Sequence, residues 1–181
     1  MKWFNKIDLK NGYHLIRIKE GDEWQTAFQC RYGLFEYTVM LFCLANVPVT
    51  FQGMINNIFQ NMLDQEMSAF MNDLIKGSNT QLGLDNITHD VLRFLRDNRL
   101  YIKPDKCDWA QHQIEFLAYI VSGEGVEMTN ENVKTLKMIE SVNSLKDVQH
   151  FLEFANFYRR FIEDYSKIIL PMTNSTSLNV I

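Results

Sequence analysis

Two aspartates lie among apolar residues at points where strands are expected to end. Asp8 stands in the segment 6–9, and Asp73 stands at the turn of an apolar segment that runs from about 67 to 75. Two carboxylates brought together in this way could hold Mg²⁺, which takes oxygen ligands and uses one or two carboxylates together with substrate phosphates. A pair of such ions would orient and stabilise an in-line phosphoryl displacement. Spacing alone leaves a second interpretation open, because a single aspartate at a strand end is more often a cap or turn residue.

The composition limits the class of protein to which these residues can belong. The 181 residues are 46% apolar and 22% charged, which is enough for one sizeable core. The formal net charge of -4 argues against strong non-specific attraction to nucleic acid, so such binding must come from local patches. Cys30, Cys43 and Cys107 are odd in number and lack Cys-x-x-Cys spacing. They predict reduced, mostly buried thiols rather than a disulfide framework or a zinc site.

No segment of the chain predicts an association with membranes. A run of about 18 consecutive apolar residues does not occur, and the N-terminal residues lack the apolar block of a signal peptide. We therefore expect no membrane partner and an intracellular location, either cytoplasmic or nuclear.

The first part of the chain alternates polar and apolar residues in the manner of strands. The pattern predicts strands at 4–9 and 14–18, joined by the turn dipeptide at 11–12, and further strands at 24–30 and 35–41. Strands that follow one another through short turns pair antiparallel. The sequence therefore predicts an antiparallel meander in this region.

Helical periodicity follows the meander. Apolar residues at helical spacing predict a helix at roughly 47–63, with Asn46 as its cap. A hairpin then follows at 67–75, which polar residues interrupt from Lys76 onward, and a second helix is expected at about 84–98. After a further group of short strands, the chain becomes helical from about residue 128. This order of elements predicts an α+β protein.

Five blocks of sequence stand in order along the chain. They are KIDLKNGYH at 6–14, YGLFEY at 32–37, NVPVTFQ at 46–52, LYIKPDKC at 100–107 and FANFYRRFI at 154–162. In composition, order and spacing these blocks resemble the reverse transcriptase of gypsy-class long-terminal-repeat retrotransposons, and the resemblance covers nearly the whole chain. It implies an RNA-directed DNA polymerase that uses an RNA template, a DNA primer, deoxynucleoside triphosphates (dNTP) and Mg²⁺ or Mn²⁺.

The resemblance also implies a domain organisation. Residues 1–127 would form a palm, an antiparallel sheet with helices packed on one face, with a remnant of the fingers at about 18–40. Residues 128–170 would form the helical start of a thumb, and the polar tail at 171–181 is expected to be disordered. The family's fingers segment ahead of this palm has no counterpart in the sequence, so we expect apolar palm surface to be exposed at about 16–41 and to favour self-association or a partner chain.

Three residues match the catalytic positions of the family, and one of them differs in type. The segment Phe70-Met71-Asn72-Asp73 resembles the Tyr-x-Asp-Asp turn, and Asp8 matches the metal-binding aspartate of the first palm motif. Asp8 and Asp73 would hold the metal, whereas Asn72 replaces an aspartate that binds it. Metal-ion stabilisation is worth several kcal/mol, and each 1.36 kcal/mol is a factor of ten in rate. We expect weakened metal binding and a loss of roughly a thousandfold or more in rate.

The resemblance implies further binding residues. Tyr13 matches the aromatic that lies under the incoming sugar and helps to exclude a 2′-hydroxyl, Phe42 matches the lining of the nucleotide pocket, and Gln52 lies in the supporting helix. From the sequence pattern alone, Tyr13 is about equally compatible with a buried aromatic beside a turn, and periodicity predicts that Phe42 is a core residue. The expected nucleic-acid contacts comprise a primer-gripping hairpin and basic thumb residues: Phe116, Leu117 and Tyr119, with Lys146, Arg159 and Arg160. A solvated helix face is the more common role of such basic residues.

Other positions also depart from the family pattern. Leu41 stands where the family has proline, and glycines of the family are replaced by Cys43, Arg99 and Ala118. Three functions stay open on this basis. The chain is an impaired polymerase, a non-catalytic module that binds nucleic acid or protein, or a retroelement relic without a selected activity.

Overall fold

The computed structural model describes residues 1–138 and 144–177. The chain divides into two compact units, Met1–Phe116 and Leu117–Ile181. The boundary between the units follows Phe116, earlier than the boundary between palm and thumb that the sequence predicted after residue 127.

The first unit is built from strands and two long helices. Its strands are β1 (Trp3–Lys10), β2 (Phe28–Cys30), β3 (Gly33–Phe35), β4 (Met67–Phe70), β5 (Asp73–Ser78), β6 (Tyr101–Ile102), β7 (Asp108–Gln111) and β8 (Gln113–Phe116). Its α-helices are α1 (Val47–Ile58) and α2 (Gln81–Asp97). The second unit contains strands β9 (Tyr119–Ser122) and β10 (Val126–Met128) and helices α3 (Asn130–Met138), α4 (Leu145–Phe157) and α5 (Tyr165–Ser177).

An antiparallel sheet with the strand order β4-β5-β1-β6 lies at the centre of the first unit, and β7 also pairs with β1. Successive side chains of a strand point to opposite faces, so Ile7, Leu9 and Leu74 share one face. These side chains are buried in one hydrophobic core with Phe51 of α1 and Val91 of α2. The predicted α+β class, with helices packed on one face of an antiparallel sheet, is confirmed.

A buried asparagine connects this sheet to its neighbours. The Nδ2 group of Asn5 donates to Thr88 Oγ1 at 2.8 Å, and its Oδ1 accepts from the Ala110 backbone N–H at 2.6 Å. The register of β7 against β1 shifts at this point, and Ala110 has a φ of 50°. The irregularity in β7 thus turns a backbone donor toward Asn5, and the buried amide is satisfied on both sides.

The predicted meander is wrong after its first strand. Residues Gly12–Leu15 and Glu23–Thr26 form 3₁₀ turns rather than strands, and β2 and β3 form a separate two-stranded sheet. Asn11 has a left-handed backbone with φ of 50°, which starts the first 3₁₀ turn where a hairpin was expected. Between the predicted strands at 14–18 and 35–41, the pairing is reduced to a bridge of Arg17 with Val39.

Two element ends also differ from the prediction. Helix α1 ends at Ile58 instead of 63, although Asn46 does occupy the position before its first turn. The backbone N–H groups of Met62 and Leu63 bond to the Phe59 carbonyl, so turns replace the last part of the predicted helix. Strand β5 continues to Ser78, through the polar residues that were expected to interrupt it.

The second unit is helical after its hairpin, as predicted for the start of a thumb. Strands β9 and β10 pair antiparallel around Gly125, which has a φ of 146°. Helix α4 begins after Ser144, whose side chain accepts from the Asp147 backbone N–H at 3.2 Å. This bond caps the helix N-terminus in the manner that the Ser-x-x-Asp spacing predicts.

Helix α5 continues to Ser177, within the segment 171–181 that the sequence predicted to be a disordered tail. Hydroxyl groups in this helix bond to backbone carbonyls of the preceding turn, from Thr173 to Ile169 and from Thr176 to Thr173. The helix therefore accommodates these two polar side chains. Residues 178–181 lie outside the described part of the chain.

Two further predictions concern membranes and cysteines. None of the helices within residues 1–138 and 144–177 combines the length and the apolar character that crossing a bilayer requires. Cys30, Cys43 and Cys107 are free thiols, but Cys30 and Cys43 are exposed. The prediction of mostly buried thiols is therefore wrong, because Cys30 ends the exposed strand β2 and Cys43 lies in a surface turn.

A buried lysine lies in the core face of the sheet. Lys76 pairs with Asn5 and Met67 on the neighbouring strands and is 3% exposed, and its Nζ has no hydrogen-bond partner. Burial lowers the pKa of Lys76 to about 7, although the carboxylates of Asp85 and Asp90 on α2 favour the charged form. The amine is consequently neutral in the folded protein at moderately alkaline pH.

We expect Lys76 to make stability depend on pH. Its pKa is about 7 in the folded chain and 10.5 in its ordinary state, so the unfolded chain binds more protons between these values. Stability should rise with pH across that window and be lowest below pH of about 7, by an amount on the order of 4 kcal/mol. Replacement by methionine, Lys76→Met, should therefore stabilise the protein more at pH of about 6 than at pH of about 9.

Urea unfolding of both proteins at the two pH values measures the difference. Lys19→Met is the matched control, because Lys19 is exposed and the same substitution there removes a solvated charge. Equal gains at both pH values for Lys76→Met would show that the buried amine does not titrate in this range.

Candidate active site

The antiparallel pairing of β1 with β5 brings the two predicted metal-binding carboxylates together. Asp8 lies directly opposite Asp73 in the register of the two strands. Residues in such positions have Cα atoms about 4.5–5.5 Å apart and project their side chains from the same face. Strands β4 and β5 are joined by a two-residue turn at 71–72, and the Asn72 carbonyl accepts from the Leu9 backbone N–H at 2.8 Å. The structure thus places all three predicted catalytic residues in one site.

A lysine that the sequence analysis did not single out completes the charge distribution of the site. Lys103 Nζ lies 2.9 Å from Asp8 Oδ1. Burial, with a further contribution from the charge of Asp8, raises the pKa of the Asp73 carboxyl, while Lys6 and Lys103 oppose this rise. The two carboxylates therefore share a partly desolvated site in which like charges repel and lysines compensate.

Two oxygen atoms in the site are suited to a cation. Asn72 Oδ1 is buried without a hydrogen-bond partner, whereas Asp8 Oδ1 is buried with its charge paired to the Lys103 ammonium at 2.9 Å. A buried acceptor without a donor is costly, and both oxygens are of the type that a divalent cation prefers. Within the described ranges, no group of three or more His, Cys, Asp or Glu residues could hold a metal. This agrees with the site's having two carboxylates and an amide.

Gln52 of α1 holds the turn that carries Asn72. Its Oε1 accepts from the Met71 backbone N–H at 2.7 Å, and its Nε2 donates to the Ala69 carbonyl at 3.1 Å and to Asn56 Oδ1 at 2.8 Å. Met71 has a left-handed backbone with φ of 51°. The residue predicted to bind substrate is therefore placed where it fixes the backbone of the catalytic turn.

The two aromatic residues predicted at the nucleotide pocket lie in contact with each other. The ring centroids of Tyr13 and Phe42 are 4.7 Å apart, and Tyr13 also packs on Phe51 at 4.8 Å. Tyr13 is 5% exposed, and burial raises the pKa of its hydroxyl, whereas Phe42 is 63% exposed. The interpretation of Phe42 as a core residue is wrong, since its ring forms an open aromatic surface over Tyr13.

Gly12 allows the Phe51 ring and the Asn72 amide to lie close to the backbone of the first 3₁₀ turn. The sequence analysis gave this glycine no role in the site. A Cβ atom at this position would lie 2.4 Å from the Phe51 ring and 3.0 Å from Asn72 Oδ1. Any larger residue would displace the aromatic floor and the amide. The turn dipeptide Asn11-Gly12 was a signal for this glycine, but it was interpreted as a hairpin turn.

The residues predicted to contact nucleic acid are distributed over both units. Phe116 is buried at the end of β8. In the second unit, Leu117 and Ala118 have left-handed φ values of 52° and 63°. The Tyr119 ring is stacked on Phe157, with centroids 5.3 Å apart and an interplanar angle of 14°.

The structure does not bring the predicted basic residues together. Lys146 lies in the first turn of α4, and Arg159 and Arg160 follow its last turn. A helix of this length separates its ends by roughly 20 Å. All three side chains are exposed, so each is available for a separate phosphate.

The sequence matches the family model described as reverse transcriptase (RNA-dependent DNA polymerase) over residues 1–121. The chain belongs to the reverse transcriptase family. This finding confirms the reverse transcriptase family that the sequence blocks indicated.

The relatives of this reverse transcriptase chain include transposon polyproteins. The transposon Tf2-3 and Tf2-7 polyproteins of Schizosaccharomyces pombe are each 33% identical to it over 171 residues. The match covers 94% of this chain and 13% of each polyprotein, so the chain spans a small part of the length of these relatives.

Solved structures with the same fold include foamy viral protease-reverse transcriptases. The enzyme in complex with an RNA/DNA hybrid has a TM-score of 0.84 and 24% identity over 98% of this chain and 24% of that chain. A form in complex with double-stranded DNA has a TM-score of 0.89 at the same identity, over 98% of this chain and 31% of that chain. The fold is thus that of a reverse transcriptase palm.

We expect Gln52→Leu to loosen the catalytic turn, because it leaves the Met71 backbone N–H without its acceptor. A lost acceptor for a partly buried donor costs about 1–3 kcal/mol. Urea unfolding should show this loss of stability, and amide hydrogen exchange should show faster exchange at Met71.

Gln60→Leu provides the matched control, because Gln60 is exposed just beyond the same helix. A loss of stability in Gln52→Leu no larger than in Gln60→Leu, with unchanged exchange at Met71, would exclude the proposed support of the turn.

Proposed function

We propose that this chain is a retrotransposon-type reverse transcriptase palm whose RNA-directed DNA polymerase activity is impaired by Asn72. The single observation that carries the proposal is the pairing of Asp8 with Asp73 beside the Asn72 amide. The position of Asn72 corresponds to a metal-binding aspartate in the resemblance that the sequence shows. Its substitution leaves the site with two negative charges in place of three.

Asp8 and Asp73 would hold Mg²⁺ or Mn²⁺, with Asn72 Oδ1 as a neutral third oxygen. The buried Asn72 Oδ1, which has no hydrogen-bond partner, and the buried carboxylate oxygen Asp8 Oδ1 support this assignment. A divalent ion bound there supplies Lewis-acid stabilisation of the charge that develops on a transferring phosphoryl group. The remaining contributions come from the chain itself, because the strand register aligns the carboxylates and Gln52 fixes the turn.

The aromatic surface beside the site supports nucleotide binding. We assign the sugar-facing role to Tyr13, whose buried ring is held between Phe42 and Phe51. A ring fixed in this way presents a rigid surface at low entropic cost, which is a suitable support for a dNTP. Phe42 remains exposed and is free to contact the nucleotide.

An RNA template and a DNA primer are the proposed macromolecular partners. The foamy viral structures of the same fold hold an RNA/DNA hybrid or double-stranded DNA, and this chain has exposed basic residues at Lys146, Arg159 and Arg160. Phosphate contacts of this type position a duplex without reading its sequence. We propose that Tyr119, stacked on Phe157, supports the primer end together with Leu117 of the same unit.

A non-catalytic binding module is the second candidate, and a specific surface favours it. Phe28 is exposed on β2, and its ring lies 5.9 Å from Phe35 and 5.2 Å from Tyr37, measured between centroids. Contiguous exposed aromatic area of this kind marks interaction sites, and the short β2–β3 sheet has free edges. This aromatic surface supports self-association or binding of a partner chain. The intracellular location stays a prediction.

Primer extension on an RNA template separates the two candidates. We expect weak, template-dependent extension with Mn²⁺, no extension by Asp8→Ala, and increased extension by Asn72→Asp together with tighter Mn²⁺ binding. The third carboxylate restores one unit of negative charge, which should tighten binding by about tenfold or more.

Folding of each variant is verified by circular dichroism, so that lost activity is not lost structure. If wild-type extension persists in Asp8→Ala, the site is not responsible for it. If neither the wild type nor Asn72→Asp extends a primer or binds Mn²⁺, the binding-module candidate is favoured.

We expect the wild-type chain to associate at tens of micromolar and Phe28→Ser/Phe35→Ser to be less associated, because the double variant removes the aromatic surface. Light scattering after size-exclusion chromatography measures the mass. Leu82→Ser is the control, since Leu82 is 73% exposed on α2 and is equally apolar. A stable wild-type monomer that binds no hydrophobic dye would contradict the association.

A further inference from the structure

Lys103 is bound to Asp8 through both its backbone and its side chain. The Lys103 backbone N–H donates to the Asp8 carbonyl at 2.9 Å, and Nζ lies 2.9 Å from Asp8 Oδ1. The side chains of Lys103 and Asp8 are 31% and 19% exposed, so the ion pair is only partly screened by water. Within the described residues, this is the ion pair that Asp8 forms.

The local fold explains why the lysine reaches the carboxylate. Strand β6 pairs Ile102 with Leu9, which places the next residue alongside Asp8. Pro104 then begins a 3₁₀ turn, and the Cys107 thiol donates to the Lys103 carbonyl at 3.1 Å. The backbone of Lys103 is therefore held on both sides, and its ammonium is directed at the site rather than into solvent.

The ammonium lies at an oxygen that a metal ion would need. Asp8 and Asp73 face each other across the strand pair, and without a cation their negative charges repel. An ammonium at Asp8 Oδ1 relieves this repulsion, but its positive charge repels a divalent cation that approaches the same carboxylate. Lys103 and a metal ion therefore compete for Asp8.

We propose that Lys103 is a built-in counter-ion of the active site, which occupies Asp8 in the absence of metal and sets the affinity for divalent cations by competing with them. The inference rests on the proposed metal site at Asp8 and Asp73. It assigns Lys103 a positioning role, since the lysine acts through Asp8. The competition stabilises the metal-free site and weakens cation binding at the same time.

Lys106 offers a matched comparison. It lies in the 3₁₀ turn that follows Lys103 and carries the same charge, and its charge also opposes the raised pKa of Asp73. Lys106 is exposed, whereas Lys103 has direct contact with Asp8. Removal of either lysine makes the electrostatic potential at the site more negative. Only removal of Lys103 also leaves Asp8 Oδ1 without its ion-pair partner.

Binding of Mn²⁺ to the purified chain tests the proposal, with the free ion measured by electron paramagnetic resonance. We expect Lys103→Met to bind Mn²⁺ at least about tenfold more tightly than the wild type, because a competing charge has gone. Lys106→Met should change the affinity by less than about threefold, since an exposed charge is screened. Lys103→Arg retains the charge and should bind like the wild type, and Asp8→Asn should abolish binding.

Thermal unfolding gives a second readout that does not depend on activity. In a metal chelator, Lys103→Met should have a lower Tm than the wild type, because the facing carboxylates lose their counter-ion. Saturating Mn²⁺ should raise its Tm by more than it raises that of the wild type. Lys106→Met should show neither effect to a comparable extent.

A measurement on the unmodified protein covers the case in which Lys103→Met does not fold. Lysine side-chain NMR during Mg²⁺ titration should show the Lys103 ammonium signal moving from an ion-paired to a solvated position, with a smaller change at Lys106. A Lys103 signal that is unaffected by saturating Mg²⁺ would overturn the proposal.

The outcomes also separate this inference from the proposed function. Mn²⁺ binding that depends on Asp8 but is equal or weaker in Lys103→Met would overturn the role of Lys103 and leave the metal site intact. Absence of Mn²⁺ binding in the wild type, in Lys103→Met and in Asn72→Asp would overturn both.

Discussion

The antiparallel register between β1 and β5 is the constraint on which the site depends. It places Asp8 opposite Asp73 and, on the other face, Ile7 opposite Leu74. Because side chains alternate along a strand, the burial of Ile7 and Leu74 in the core determines which face the carboxylates occupy. A slip of one residue would exchange the two sets and bury the aspartates under α1 and α2. The hydrophobic core and the pair of facing carboxylates are therefore specified by the same hydrogen-bond ladder.

The β1–β5 strand pair carries polar groups on both of its faces, and buried polar groups are costly without hydrogen-bond or ion-pair partners. The structure gives several of them such partners. On the core face, Asn5 is satisfied by Thr88 and Ala110. On the site face, Lys103 offsets the charge of Asp8, and Gln52 satisfies the turn at Met71. These contacts come from α1, α2, β7 and the loop after β6. The central strand pair thus determines where its neighbours must place polar side chains.

Lys76 and Asn72 are polar residues of this strand pair and its turn whose side chains are left without a hydrogen-bond partner. Lys76 Nζ and Asn72 Oδ1 are both buried without a hydrogen-bond partner. The lysine lowers this cost by losing its proton, since burial lowers its pKa to about 7. An amide has no such option, so Asn72 retains an unsatisfied acceptor. A buried amide oxygen without a donor favours binding of a cation or of a hydrogen-bond donor from a ligand. The amide is neutral, however, so it adds no net charge to hold a cation.

Local patterns and the family blocks were sufficient to predict the pairing of Asp8 with the hairpin, because both strands are strongly apolar and the turn is short. The segment from residue 14 to 41 was predicted less well. Alternation there suggested strands, but Phe28 and Phe35 are exposed and the pairing is short, so no core enforced the pattern. Strand propensity without burial does not determine register.

The contacts of Lys103 and Gln52 could not be predicted from spacing. Lys103 reaches Asp8 because β6, only Tyr101–Ile102, pairs with the end of β1. Gln52 reaches Met71 because α1 packs beside the hairpin, and helical periodicity specifies its neighbour Phe51 but not the bond of a side-chain amide. Both contacts join segments that are distant in sequence, and such contacts depend on tertiary packing.

Backbone conformation suggests how this chain departs from its family without losing the fold. Arg99 and Ala118 have φ values of 56° and 63°, at positions where the resemblance has glycine. A residue with a side chain in this conformation costs roughly 1–2 kcal/mol. Arg99 nevertheless follows α2, and the next backbone N–H, that of Leu100, bonds to the Leu95 carbonyl at 2.8 Å, as in a helix C-terminal motif. The strained backbone of Arg99 is tolerated because hydrogen bonds on both of its sides hold the turn in place. Side chains in this conformation therefore cost stability, but the turns keep the backbone that the fold requires. The alignment of Asp8 with Asp73 comes in the same way from the backbone, because the register of the two strands sets it and the Asn72 side chain does not contribute to that pairing.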